Sequence, residues 1–321
     1  EAAGAAAGAA AGEAAGEAAG AAAGAAAGAA AGEAAGAAGA AAGEAAGAAA
    51  GEAAGEAAGA GGYSAITAGR YHTCALTAEG AARCWGRDNY GQLAAPAEPL
   101  AALSAGQWHT CALNALGEAR CWGDDEFGQA SPPPGPLRAV SAGYYHTCAL
   151  SDAGAARCWG LDDAGRLAPP AEPLAALSAG WYHTCALTPA GRLACWGMDS
   201  EGQATPPEGV YRAVSSGGLF SCALTEEGEA RCWGADEYGE TRPPAGPFSQ
   251  LSAGAEHACA LRRADGRPVC WGRDDRLQTA APDTPLRALA AGLDHTCALT
   301  RAGGAVCWGQ DNHGQSTPPA P

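Results

Sequence analysis

The amino-acid sequence predicts an all-β seven-bladed propeller over residues 63–321, preceded over residues 1–62 by an Ala/Gly-rich low-complexity segment that reads as a long α-helix. Two observations carry this. The tripeptide Cys-Trp-Gly recurs seven times at almost constant spacing, and fixed periods of 20 to 50 residues mark repeat architectures. The first 62 residues hold only 38 Ala, 17 Gly and 7 Glu, whereas the rest of the chain holds all 14 Cys, 9 Trp, 7 His and 21 Pro.

The first cysteines of the seven units are Cys74, Cys111, Cys148, Cys185, Cys222, Cys259 and Cys297, separated by 37 residues five times and then by 38. Each unit opens on small and branched residues, as in Leu137 to Gly143, which suits an innermost strand where blades crowd together. Two runs of period-two alternation follow, YHTCALS and AARCWG, and the Asp-Ala-Gly between them marks a hairpin. A fourth, weaker strand is expected around the Gly-Gln of DNYGQL, before a Pro-rich connection. Three or four strands repeated seven times describe propeller blades.

The unit AGxxHTCAL…ARCWGxDxxGQ resembles the repeat of the regulator of chromosome condensation family. The resemblance covers residues 63–321 and implies a seven-bladed propeller. Relatives include a nucleotide-exchange factor and a secreted beta-lactamase inhibitor, so the resemblance does not fix an activity. The acidity and the cysteines of this chain set it apart from the nuclear member, and exchange activity and chromatin binding are not carried over.

The second cysteines, Cys84, Cys121, Cys158, Cys195, Cys232, Cys270 and Cys307, each precede Trp-Gly. Ten residues separate the two cysteines of most units, which places them opposite each other across the hairpin, within reach of a disulfide. The rival reading joins His72 to Cys74 and Cys84 as metal ligands. Phe220 replaces that histidine in unit five while Cys222 and Cys232 remain, so the pattern predicts one disulfide per blade and an oxidising, extracellular or cell-surface location.

Six histidines recur at one position of the repeat, His72, His109, His146, His183, His257 and His295, and read as buried hydrogen-bonding struts between blades. Seven aspartates follow the tryptophans, Asp88, Asp125, Asp162, Asp199, Asp236, Asp274 and Asp311. Asp caps turns by accepting backbone N–H bonds; these positions are also weak calcium candidates, although the twelve-residue ligand set is missing. Beside the histidines, blades one to four carry Tyr71, Trp108, Tyr144, Tyr145, Trp181 and Tyr182, a candidate binding patch for a protein or glycan, whereas blades five to seven carry Leu219, Glu256 and Asp294.

No catalytic set emerges: there is no Gly-x-Ser-x-Gly elbow and no lysine, so no enzyme activity and no cofactor are expected. A formal charge of −16 disfavours a nucleic-acid partner. The Ala-rich segment, broken by Gly and Glu, is a poor membrane span. The chain starts at Glu1 with no readable signal peptide, as expected of a processed or incomplete start.

In residues 1–62 glycine recurs about every fourth position, at Gly4, Gly8, Gly12, Gly16, Gly20, Gly24, Gly28, Gly32, Gly36, Gly39, Gly43, Gly47, Gly51, Gly55 and Gly59. Helix, silk-like strand and flexible tether compete. The single three-residue step from Gly36 to Gly39 would flip later glycines to the other face of a strand but only rotates a helical stripe. Each interior glycine costs a helix about 1 kcal/mol against alanine, so a lone helix is deficient and close packing with copies of itself would compensate. The expected function is an extracellular structural subunit, self-assembling through this helix into a fibre or bundle. The alternative is a secreted or surface-anchored binding or inhibitory propeller on a spacer.

Overall fold

The computed structural model describes residues 61–321. The helix and the assembly glycines expected in residues 1–60 lie outside the described residues. Blade one runs from an inner strand, Tyr63–Ala68, through a middle strand, His72–Thr77, to an outer strand, Ala82–Gly86. Blade two has Leu100–Ala105, His109–Asn114 and Ala119–Gly123; blade three has Ala139–Ala142, His146–Leu150 and Ala156–Gly160. Blade four has Ala176–Ala179, His183–Leu187 and Leu193–Gly197; blade five has Tyr211–Ser216, Phe220–Thr225 and Ala230–Gly234. Blade six has Phe248–Ala253, His257–Arg262 and Pro268–Gly272; blade seven has Leu286–Ala291, His295–Thr300 and Ala305–Gly309.

All seven sheets are antiparallel with strands in sequence order, so every blade is one contiguous stretch of chain. The fourth strand expected at Gly-Gln is absent from the described residues. That segment forms a tight turn because Gln92 folds back, its Oε1 accepting from the Tyr90 amide at 2.8 Å, which fits a turn and not a ladder.

Burial follows from crowding. Each middle strand has the preceding blade against one face and the following blade against the other, as Ala112 meets blade one while Cys111 and Leu113 meet blade three, and the HTCAL run is buried throughout. Seven apolar clusters sit one at each blade interface; Cys111 and Leu113 of blade two, for example, meet Leu137, Val140 and Trp159 of blade three. Facing sheets interlock through alternating Leu and Ala, and burying a leucine contributes roughly 1.5–3 kcal/mol.

Three polar rings tie the blades together. The hairpin glycine carbonyl of each blade accepts from the first inner-strand amide of the next, as Gly117 from Leu137 at 2.8 Å, and the ring closes with Gly303 accepting from Tyr63 at 2.8 Å. Every Cys-Trp-Gly tryptophan donates through Nε1 to the carbonyl at the Gln position of the preceding blade: Trp159 to Gln129 at 2.9 Å, and Trp85 of blade one to Gln315 of blade seven at 2.9 Å. The third ring consists of the histidines.

Candidate functional site

The seven predicted cysteine pairs are bonded, with Cα atoms 4.0–4.1 Å apart, and no free cysteine remains. Cys148 and Cys158, like the other pairs, are directly opposed in the strand register. The separation is ten residues in six blades and eleven in blade six.

Each of the six histidines is fully buried. His109 Nε2 lies 2.8 Å from the Thr147 hydroxyl of the next blade, His146 2.9 Å from that of Thr184, and His295 closes the circle 2.9 Å from Thr73. Thr147 in turn donates to the Gln129 carbonyl at 3.0 Å, so its oxygen accepts from His109 and the ring carries its proton on Nε2. The opposite Nδ1 has no partner in any of the six. A second proton would be both desolvated and unpaired, and burial pushes His146 down to about 3 and His109 to about 4. These rings are neutral struts.

The seven aspartates close the outer turns. Each Oδ1 accepts the amide five residues on, as in Asp125 from Ala130 at 2.7 Å and Asp311 from Ser316 at 2.7 Å. They sit on separate blades, and among the described residues no group of three or more His, Cys, Asp or Glu is placed to hold a metal ion.

The aromatic residues do converge. They occupy the channel end of blades one to four, the end that carries the loop between inner and middle strands. The turn residue of one blade touches the residue before the histidine of the next: His313 meets Tyr71 at 5.2 Å, Tyr90 meets Trp108 at 5.4 Å, and Phe127 meets Tyr145 at 5.1 Å between ring centroids. Tyr144 joins Tyr145 (4.4 Å), Trp181 (5.3 Å) and Tyr182 (5.4 Å), giving an arc across four blades.

Arginines hold the arc. Arg70 lies 5.0 Å from the centre of Tyr71 and 5.5 Å from that of Trp108, and its Nη1 donates to the Tyr144 hydroxyl at 2.8 Å. Arg87 covers Trp108 at 4.9 Å, and the fully buried Arg166 covers Tyr182 at 5.2 Å. Burial pushes the Tyr145 and Tyr182 phenols above their usual range, which keeps them neutral.

Sequence reasoning missed Tyr90, Phe127 and His313, which share one repeat position and complete the arc, and it missed the three arginines. Tyr90 and Phe127 are its most open members, 50 % and 39 % exposed. On blades five to seven the same end adds acidic groups around Tyr238, which shares the repeat position of Tyr90 and which Arg273 covers at 5.4 Å: Glu256 pairs with Arg273, which also pairs with Asp275, and burial pushes the Asp294 carboxyl up.

The channel itself is narrow. A cavity of 80 Å³ is lined by Thr67, Ser104, Ser141, Ser178, Ser215 and the glycines beside them. Arg70 and Trp181 stand at its mouth.

A family model described as the regulator of chromosome condensation (RCC1) repeat matches residues 63–92, 101–129, 137–166, 175–203, 211–240 and 287–315, more than half of the chain. The chain belongs to that family of propeller proteins. Blade six, between the last two stretches, departs from the repeat enough to escape the match.

No curated protein sequence matches the chain. Among solved structures, the ectodomain of the receptor kinase ACR4 from Arabidopsis thaliana is similar at 27% identity and a TM-score of 0.69, over 79% of this chain and 97% of that one. The entire ectodomain of the receptor kinase CR4 from Physcomitrella patens is similar at 28% identity and a TM-score of 0.67, over 78% and 74%. Prp20p from Saccharomyces cerevisiae, at 18% identity and a TM-score of 0.63 over 72% and 80%, shares the fold. Among the described residues no helix is long and apolar enough to cross a membrane.

Proposed function

We propose that this chain is an extracellular binding propeller, residues 63–321, that takes its ligand on the aromatic and arginine arc of blades one to four. The carrying observation is the arc itself: half-buried Tyr and Trp rings fixed by Arg70, Arg87 and Arg166, with Tyr90 and Phe127 open above them. Rings locked in place lose little entropy on binding, and Tyr, Trp and Arg dominate binding energy at interfaces. Seven disulfides and the likeness to two plant receptor-kinase ectodomains support an oxidising, extracellular setting. No catalytic group is part of this reading.

The test is direct binding of the full chain to glycan and extracellular-protein arrays, repeated with Tyr90→Ala, Phe127→Ala and Trp181→Ala combined. Loss of binding in the variant supports the reading, and the array that responds identifies a protein or a glycan ligand. Undiminished binding by a folded variant refutes it.

Self-assembly through residues 1–62 is the second reading, favoured by the one-turn spacing of glycine there. Deleting residues 1–62 separates the two: arc binding survives the deletion and assembly does not.

A further inference from the structure

At the opposite end of the strands, where the middle-to-outer hairpins turn, one place breaks the charge pattern of the molecule. The hairpin opens, after the middle strand, on Ala78 and Glu79 in blade one, Ala115 and Leu116 in blade two, Asp152 and Ala153 in blade three, and Glu226 and Glu227 in blade five. Blades six and seven have Arg263 and Arg301 at the first of these positions, and blade six has Arg262 just before it, where the other blades have Thr, Ser or Asn. In a chain of net charge −16 with 18 arginines, three positive residues at neutral or acidic repeat positions are a local reversal of sign.

These arginines line a cavity of 310 Å³ between blades six and seven, floored by Leu261, Leu286 and Arg287. The blade-six hairpin that borders it is one residue longer than the others. Its neighbours neutralise it only in part. Asp265 lines the cavity but pairs with Arg267, which also takes Asp283. Hydrogen bonds to its own backbone and to Thr225, and then the charge of Arg263, hold the Glu227 carboxyl of blade five below its usual range. Arg287 donates to the carbonyls of Tyr63, Ser64 and Thr300 and clamps blade seven to blade one. Arg263 and Arg301 reach only the carbonyls of Glu226 (3.3 Å) and Asp265 (3.5 Å), and neither they nor Arg262 form an ion pair among the described residues. Guanidinium groups that outnumber the one carboxylate, Asp265, lining the same cavity leave forked donors available to an oxyanion.

We infer that this cavity binds a single tetrahedral oxyanion group, a sulfate ester or phosphate monoester, on a saccharide-sized ligand. Size and charge both limit the ligand. A volume of 310 Å³ stands at the small end of ligand sites, which run from about 300 Å³ upward. Screening confines the positive field to roughly 10 Å, so the acidic remainder of the surface repels a long polyanion while the cavity holds one anionic head. The site lies at the far end of the strands from the aromatic arc and does not depend on it.

Titration of the full chain with glucose 6-sulfate, glucose 6-phosphate and glucose, followed by calorimetry and NMR, tests this. Wild type binds one or both anionic sugars and not glucose, and the preferred anion distinguishes sulfate from phosphate. Arg262→Gln, Arg263→Gln and Arg301→Gln each weaken binding about tenfold while the melting temperature is unchanged; the exposed side chains make no apolar contribution that folding requires. Glucose binding as tightly as its esters, no binding of either ester, or undiminished binding by the triple Gln variant would each overturn the assignment.

Discussion

Phe220 of blade five and Ala258 of blade six occupy the two positions that elsewhere hold a histidine and its hydroxyl partner, and both are buried in the same apolar cluster. At the next interface His257 again reaches a hydroxyl, Thr296 at 2.8 Å. The chain has removed donor and acceptor together, which avoids a buried polar group with no partner.

A double-mutant cycle follows from that pair. Phe220→His alone buries an imidazole opposite a methyl group and costs about 2–4 kcal/mol; Ala258→Thr alone inserts a hydroxyl beside a phenyl ring and costs about 1–3 kcal/mol. The double variant recovers 1 kcal/mol or more, roughly, relative to the sum, because Nε2 and hydroxyl then pair. Denaturant melts of the four proteins measure the coupling, and additivity within error refutes it.

The histidine ring sets an acid limit. Folded rings titrate at about 3 or 4, unfolded ones near 6.5, so between these values the unfolded chain holds the extra protons and stability is lost as pH falls. Each ring costs about 2 kcal/mol at pH 5 relative to neutral pH. Asp294 and Glu240, raised by burial, act in the opposite sense but are outnumbered by six rings. Thermal melts at pH 7.5 and pH 5 are expected to fall steeply, and a melting temperature flat over that range contradicts the buried neutral ring.

Glycines of the inner loop differ from glycines of the outer turn. A Cβ on Gly143 would stand 2.6 Å from Cε1 of His146 and overlap the Gly180 carbonyl oxygen, whereas one on Gly91 meets nothing within 4 Å. Gly143→Ala is expected to cost more than about 3 kcal/mol or prevent folding, and Gly91→Ala only about 1 kcal/mol for its positive φ of 76°. Equal losses in denaturant titrations would show that space at the inner loop does not matter.

Leu277 stands where all six other blades have glycine, with φ at 61° and a side chain 64 % exposed. Leu277→Gly should stabilise the protein by about 1 kcal/mol. A lower melting temperature for the variant argues against strain at this turn.

The staples are separable. Replacing Cys148 and Cys158 together by alanine is expected to cost about 2–3 kcal/mol, with the other six blades still bonded. Mass spectrometry of the alkylated protein and its melt check both halves of this statement.

The repeat spacing made the blades and the cysteine pairs legible, because 37-residue periodicity places equivalent residues in equivalent strands. The Gly-Gln segment was misread as a strand since its role lies in another blade: the Gln129 carbonyl serves Trp159, thirty residues on. Half of the aromatic arc was visible at the position before the histidines. The other half, Tyr90, Phe127 and His313, sits beyond the outer strand and reaches the face only through the turn, though comparing that one repeat position across units would have found it. The clamps of Arg138 and Arg287 on neighbouring carbonyls leave no sequence signature, since an arginine at a strand start reads simply as solvated.

Because no strand is exchanged where blade seven meets blade one, the ring is held shut there by contacts between whole blades, among them Tyr63, Thr73 and Trp85 against Gly303, His295 and Gln315, the Arg287 clamp and one apolar cluster. The other seams are likewise closed without strand exchange, and new chain ends introduced at any of them leave whole blades on either side. A gene encoding such a ring can gain, lose or shuffle units by simple duplication and deletion, with no orphaned strand left behind.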